Sequence, residues 1–370
     1  MSGPQTPSVV VVGALPPPMH GQAAVNAAVA ESLQGLPVSL SVIDTSPGNA
    51  TKSVMYHVKR MSGVLRASVE LAKRSNRHAK TLYMPFQAGH GIVYNFFLAL
   101  IARLTGFAIV LHHHSSAHTI RRLSVFALLA RICGQQTTHV VLSDQMALDL
   151  KEHYGLTERT LVSSNACHVP SSALSESKPI HDDLVVGLLA NLNSEKGLQL
   201  AIETVIDARA RGANAKLVLA GPLLGAASEE CVTRASRILG ESLEVWGPVD
   251  RVGKERFFRY VHVFLFPTTY RYEAQPLVIY EAMSHGVPVI STSAGYIPEM
   301  LERVGTVVHI DQNIRSRLTE ELLRFWNDLD LLVRASIEAK REFERAAEIS
   351  RTEFAELCVA IVANRCALSV

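Results

Sequence analysis

One feature constrains this chain more than any other. Short runs of β-branched and aliphatic residues alternate with longer stretches of helical periodicity over nearly the whole length. Parallel strands need a crossover of about a dozen residues or more, so this rhythm predicts open, mostly parallel sheets with helices on both faces. In the first half the strands read as 9–12, 38–43, 81–84, 108–111, 139–142 and 159–162, with helical patterns that include 22–34, 54–73, 92–104 and 145–154. A second series of strands reads as 184–189, 216–220, 243–246, 263–266, 287–291 and 307–310. The alternation lapses once, at 168–181, a polar stretch with serines after Pro170 and then Lys178-Pro179. A chain of 370 residues exceeds one ordinary core and suits two. The expected fold class is therefore α/β, with two Rossmann-like, doubly wound domains at 1–175 and 180–345. The chain then runs as an amphipathic helix from about 328 to 367, with Phe343, Ile349, Phe354, Leu357, Ile361 and Val362 on its buried side.

Composition narrows the partners. Hydrophobic residues make up 48% of the chain against 19% charged, enough apolar material for two cores. The net charge of +2 conceals an asymmetry: residues 1–175 hold 14 Lys and Arg against 7 Asp and Glu, and residues 176–370 hold 22 against 27. Between 45 and 143, twelve basic residues meet one acid, Glu70, a field that favours an anionic partner. The five cysteines, Cys133, Cys167, Cys231, Cys358 and Cys366, form no C-x-x-C pair, which fits a reducing compartment. The first residues lack the basic and long apolar regions of a secretory leader, and the longest apolar stretch, 96–111, is broken by Arg103 and Thr105-Gly106. A cytoplasmic protein without a membrane span is expected.

The segment 268–299, TTYRYEAQPLVIYEAMSHGVPVISTSAGYIPE, carries the most chemistry. A strand ending at Phe266 leads to a loop with Glu273, then Pro276 in a first helical turn, a helix of about three turns, and Gly286 before the next strand. In open α/β sheets ligands bind beyond the carboxyl ends of strands, where the free N–H groups of such a helix suit a phosphate. Glu273 and Glu281 can accept hydrogen bonds from two parts of one hydroxyl-rich ligand. Upstream, strand 184–189 runs into Asn191-Leu-Asn-Ser-Glu-Lys196-Gly197, with Ser194 as the expected N-cap of the next helix. A lysine in a helix's first turn opposes the macrodipole, so Lys196 gains from an anion bound there.

Glu273-Ala-Gln275-Pro276-Leu277-Val-Ile-Tyr-Glu281-Ala-Met-Ser-His-Gly286-Val-Pro-Val-Ile resembles the E-x7-E signature of family 4 retaining glycosyltransferases, and the likeness continues to Gly295 and Pro298-Glu299. The segment ending in Lys196-Gly197 resembles that family's G-R-x-x-x-E-K-G, with Asn191 where the family has arginine. Segments 216–221, ending at Gly221, and 244–247 are similar to strands whose loops approach the nucleotide; Trp246 itself reads as packing. The resemblance implies a GT-B fold, two such domains facing a central cleft, with the terminal helix at 346–370 crossing back to the first domain. It also implies roles: Glu273 on the donor sugar, Glu281 on ribose hydroxyls, and Lys196 on the diphosphate. Asn191, Gln275, Pro276, Leu277 and Gly221 join the donor site. Arg271 and Arg251 are candidates for the cation that Asn191 does not supply.

In the first domain, loop 13–22 links the first strand to the first helix, and it lacks the G-x-G-x-x-G of a dinucleotide site. By resemblance, Gly21 in this loop meets donor phosphate, while His20 and Gln22 lie on the acceptor side. The cluster His112-His113-His114-Ser-Ser-Ala-His118 follows a strand. Alternate strand residues share a face, so His112 and His114 pair, but no third ligand has clear metal spacing. No metal and no cofactor are expected. The family often has a histidine or H-x-H after this strand, which makes His112 and His114 catalytic candidates and leaves the other histidines to line the cleft. In 54–73 apolar residues interleave with Lys59, Arg60, Arg66 and Lys73. That pattern is either a solvated basic face or one that gathers an anionic bilayer or lipid-diphosphate acceptor. A peripheral place on the inner face of the plasma membrane accompanies the second alternative. Nothing resembles a nucleic-acid recognition module.

Taken together the resemblance implies a retaining transferase that moves a hexose-type sugar from a nucleotide diphosphate sugar to a lipid-linked or saccharide acceptor, in surface polysaccharide or glycolipid synthesis. The competing readings are a GT-B epimerase or hydrolase acting on nucleotide sugars, and a non-catalytic nucleotide-sugar-binding protein.

Overall fold

Every strand runs parallel to its neighbours, in two six-stranded sheets. The computed structural model describes residues 6–17, 21–46, 54–77, 79–157, 159–172 and 183–363. Two compact units result, one formed by residues 1–168 with 349–370 and the other by 169–348. Most of the polar stretch 168–181 lies outside the described residues.

The first unit follows β1 (Ser8–Gly13), α1 (Gly21–Gln34), β2 (Ser39–Asp44), α2 (Val54–Lys73), β3 (Lys80–Pro85), α3 (Ile92–Leu104), β4 (Ala108–His112), α4 (Ala117–Ile120), α5 (Ser124–Cys133), β5 (Thr138–Val141), α6 (Asp144–Tyr154) and β6 (Thr160–Val162). The second follows β7 (Leu184–Leu189), α7 (Leu198–Ala210), β8 (Ala215–Ala220), α8 (Ala226–Leu239), β9 (Leu243–Gly247), α9 (Arg251–Tyr260), β10 (Val263–Phe266), α10 (Leu277–Ser284), β11 (Val289–Thr292), α11 (Ile297–Leu301), β12 (Thr306–Val308) and α12 (Ile314–Asn327). The long α13 (Leu329–Ala363) begins in the second unit and ends in the first.

Strand order is β2-β1-β3-β4-β5-β6 in one sheet and β12-β11-β10-β7-β8-β9 in the other. Each order reverses once, between β1 and β3 and between β7 and β10. Right-handed crossovers therefore put the helices before and after the reversal on opposite faces, and a crevice opens beyond the strand ends where they part. In the first unit, Val9 and Val11 of β1 pack with Val29 and Leu33 of α1 and with Leu357 and Ile361 near the end of α13. The other face carries α2, α3 and α5, with α3 touching both of its neighbours.

Phe343, Leu357 and Ile361 are buried as their spacing predicts, but Ile349 is 48% exposed. Its neighbours Ala347 and Ser350 face inward instead, and the small Ser350 lets the helix approach the backbone at Ser164, whose carbonyl accepts the Ser350 hydroxyl at 2.6 Å.

Beyond β4 the first unit buries a chain of histidines that the sequence reading placed along a cleft. His118 Nε2 lies 2.8 Å from His113 Nδ1, and His113 Nε2 lies 3.0 Å from His139 Nδ1. A neutral imidazole donates through one nitrogen and accepts through the other, so both bonds form without a charge. Phe126 and Phe86 pack against the rings. Burial pushes His118 down to about 3 and His139 to about 4, and lowers His113 well below its ordinary value of 6.5.

Two outcomes follow from this packing. The unfolded chain takes up protons as pH falls through about 6.5, whereas the native histidines do so only near pH 3 to 4, so this contribution is complete above pH 6.5 and is lost as pH falls through that window. Urea unfolding at pH 5 should show a loss of about 2 kcal/mol for each of His118 and His139 relative to pH 7.5; equal midpoints would show that they are not held neutral. Separately, Leu357→Ala should lower stability by about 2–5 kcal/mol, because it opens a cavity between α13 and β1. Denaturant titration of the variant measures it.

Candidate functional site

In the second unit the sheet reverses between β7 and β10, and the loops beyond those two strands hold the acid and the base singled out above. Lys196 sits in the loop after β7, and Glu273 in the loop after β10. Their side chains form an ion pair across 77 positions of sequence, Lys196 Nζ to Glu273 Oε1. Glu273 is only 7% exposed, and Thr268 also donates to its Oε1, at 3.0 Å. The ammonium lies 5.7 Å from the centroid of Phe266 and 5.2 Å from that of Tyr270, so two aromatic faces add to its binding.

Close backbone approach makes this pairing possible. Gly197 has φ +78°, and a Cβ there would stand 2.1 Å from the Pro267 carbonyl oxygen. Gly295, in the loop after β11, has φ +55°, and a Cβ would stand 1.9 Å from the carbonyl oxygen of Glu273. Neither place admits a side chain. The loop after β10 is also bonded on both sides: Thr269 N donates to Glu195 O at 2.8 Å, and Tyr296 N donates to Glu273 O at 3.0 Å.

The local geometry corrects three expectations. Ser194 does not cap α7; the Asn193 side chain accepts from Lys196 N at 2.8 Å, and the helix starts only at Leu198. Lys196 therefore stands ahead of α7 and not in its first turn, oriented by Glu273 and the aromatic rings. Helix α10 spans eight residues, about two turns where three were expected, with Pro276 immediately before it and Gly286 at φ +62° just beyond its end.

Glu281, midway along α10, meets a residue the sequence reading did not select. Lys254 of α9 donates to both of its oxygens, at 2.8 and 3.1 Å. Lys254 stands four residues after Asp250, the N-cap of α9, whose side chain accepts from Gly253 N at 2.8 Å. Only that helix start could have drawn attention to Lys254, which stands 27 positions from Glu281. Of the two cations that were considered, Arg271 lies over the Tyr272 ring at 5.4 Å, and Arg251 is exposed at the start of α9.

The remaining donor-site candidates gather at the same strand ends. Gln275 is buried in the loop before α10, while Pro276 and Leu277 are partly exposed. Gly221 opens the loop after β8, its N–H donating to Gly247 O at 2.7 Å. Asn191 is exposed, one residue beyond Ala190. Trp246 stacks on Tyr260 and meets Phe257 edge-on, as its packing reading expects.

In the first unit the candidates do not all gather at the β1/β3 reversal: Lys73 ends α2, and the next residue, Arg74, bonds Ser8 and Ser39 at the starts of β1 and β2. Gly21 is exposed at the start of α1, with Gln22 partly buried beside it, and His20 lies outside the described residues. Arg60 turns inward to Gln87 at 2.9 Å and over Tyr94, whereas Lys59, Arg66 and Lys73 are exposed on α2. His112 and His114 do share a face, with ring centroids 4.0 Å apart. Burial keeps the Tyr83 phenol protonated, and its hydroxyl is hydrogen-bonded to His112 Nδ1 at 2.7 Å. Burial, with His114 and His168 nearby, keeps His112 neutral. Its Nε2 is buried and without a partner among the described residues. Among the described residues no three His, Cys, Asp or Glu side chains are grouped to hold a metal ion.

Comparison with known proteins concentrates on the second unit and on the fold. Residues 183–328 match a family model described as "Glycosyl transferases group 1". No curated protein matches the sequence. Among solved structures, a glycosyltransferase from Rickettsia africae superposes with a TM-score of 0.71 at 14% identity, covering 97% of this chain and 100% of that one. Anabaena Alr3699/HepE, crystallised with UDP and glucose, gives 0.65 at 13% identity, covering 95% and 99%. WaaG, a glycosyltransferase involved in lipopolysaccharide biosynthesis, gives 0.61 at 14% identity, covering 92% and 99%. The chain has the two Rossmann-like units of the GT-B fold, and its second unit contains the segment that matches the group 1 glycosyl transferase model.

Proposed function

We propose that the protein is a family 4 retaining glycosyltransferase that moves a hexose-type sugar from a nucleoside diphosphate to a lipid-linked or saccharide acceptor, in surface polysaccharide or glycolipid synthesis. The observation that carries this reading is the meeting of Lys196 and Glu273 at the β7/β10 reversal, inside the segment matched by the family model. In this reading the donor diphosphate draws the Lys196 ammonium from Glu273, and the freed carboxylate accepts hydrogen bonds from the donor sugar. Charge builds on the departing phosphate as the glycosidic bond breaks, so Lys196 and the first amides of α10 bind the transition state more tightly than the ground state. Glu281, oriented by Lys254, holds the ribose. The acceptor binds on the first unit and attacks from the face that the leaving group vacates. His112, whose buried Nε2 has no partner among the described residues, is the hydrogen-bonding group proposed for the acceptor side.

The exposed, uncharged Asn191 favours a second reading, a protein that binds nucleotide sugars without transferring them. Incubation with UDP-, GDP- and ADP-sugars plus lipid-linked and soluble acceptors separates the readings by the nucleotide released and the anomer formed. Release without any acceptor would indicate a hydrolase or epimerase, and an inverted anomer would remove the family assignment.

For the wild-type transferase, Lys196→Ala should lower kcat by about 10²–10³-fold, and turnover that survives the change would overturn the leaving-group role. Lys254→Ala should raise the donor KM about tenfold with kcat nearly unchanged, because it loosens ribose binding in ground and transition states alike. Since Lys196 and backbone amides meet the diphosphate charge, turnover should also persist in EDTA; its loss and recovery on adding Mg²⁺ would contradict metal independence.

A further inference from the structure

The outer face of the first unit carries an apolar surface that no part of the described chain covers. On α3, Val93, Phe97, Leu100 and Leu104 recur at spacings of four, three and four, and all point outward, Leu104 with 76% of its surface exposed. The buried side of the same helix is a separate set, Ile92, Asn95, Leu98, Ala99 and Ala102. Helix α2, packed on one side of α3, repeats the pattern: Val58, Met61, Leu65 and Val69 are exposed, while Val64, Ala67 and Leu71 face the sheet. Helix α5, on the other side of α3, adds Val125 and Leu128. Three neighbouring helices thus present one apolar strip, and soluble monomers rarely leave so much contiguous apolar surface uncovered.

The charges around the strip are of one sign. Lys59, Arg66 and Lys73 are exposed along α2 on the flank toward β2, where Arg66 donates to the Asp44 carbonyl at 3.2 Å. Arg103 is exposed on α3, and Arg121 and Arg131 lie beside α5. The one acid between 45 and 143, Glu70, is held by Arg74 at 2.6 Å. No helix among the described residues is long and apolar enough to cross a membrane.

We propose that the face formed by α2, α3 and α5 docks on an anionic lipid bilayer, with the apolar side chains in the acyl boundary and the basic rim at the phosphates. Charge complementarity selects this occupant. A second copy of the chain would bring the same basic rim against itself, and like charges across an interface oppose association. The proposal does not depend on the sugar chemistry proposed above, since the strip contains none of the residues given a role there.

Co-sedimentation of the full chain with vesicles tests it, using phosphatidylcholine alone or mixed with phosphatidylglycerol. Binding to the mixed vesicles should be at least about tenfold tighter than to phosphatidylcholine, and should weaken as salt is raised. Phe97→Glu combined with Leu104→Glu should reduce it by at least about tenfold while thermal melting stays unchanged, since both positions are exposed. A Lys59→Glu, Lys73→Glu variant provides a second measure and should lose the preference for anionic vesicles. Failure to bind anionic vesicles, or equal binding by both variants, would overturn the proposal. So would self-association of the wild type, seen by sedimentation velocity and abolished by the Phe97 and Leu104 changes, because the face would then belong to a second copy.

Discussion

The second unit depends on backbone packed against backbone beyond the carboxyl ends of its central strands. Gly197 lies against the carbonyl of Pro267, and Gly295 against that of Glu273, at distances where any β-carbon would overlap an oxygen. Three loops from separate parts of the sequence are thereby locked together, and Thr269, Tyr270 and Tyr296 add backbone hydrogen bonds to the same joints. Lys196 and Glu273 meet because these loops cannot separate without opening that packing. The position of the ion pair follows from parallel topology, since a sheet that reverses between β7 and β10 leaves room for a ligand at one place only.

Two kinds of buried polar group serve the two units differently. Lys196 and Glu273 are a charged pair that retains some exposure on the lysine, so an incoming anion can compete for the ammonium. The histidines beyond β4 are neutral, enclosed by aromatic rings and bonded to one another. The first arrangement suits exchange of partners; the second holds loop and strand in one conformation. His112 stands between these cases, fixed through Nδ1 by Tyr83 while its other nitrogen has no partner among the described residues.

Much of the fold was legible because parallel strands advertise themselves as short apolar runs set apart by helical spacing, and both sheets formed from the runs so identified. Helix ends were less legible. The N-cap of α7 is Gly197 and not Ser194, because the chain turns through that glycine before the helix begins, and a Cβ there would meet Pro267, seventy residues away. Glu273, Glu281 and Lys196 stood out through their local pattern, but their pairing did not. Neither the Lys196 ion pair nor Lys254 beside Glu281 leaves a local signal, because each joins segments brought together only by the order of the strands. The histidine cluster was legible in part: alternation put His112 and His114 on one face, whereas the burial of His113 and His118 with His139 joins segments that only the strand order brings together.

Helix α13 has a consequence for how the molecule is made. Leu357 and Ile361 complete the cover over Val9 and Val11, yet they are synthesised after every residue of the second unit. While the ribosome is still adding that unit, one side of the first sheet lacks the cover of Leu357 and Ile361. The first unit begun is thus the last one closed, and the second unit, whose residues are contiguous in the chain, has everything it needs to fold beforehand.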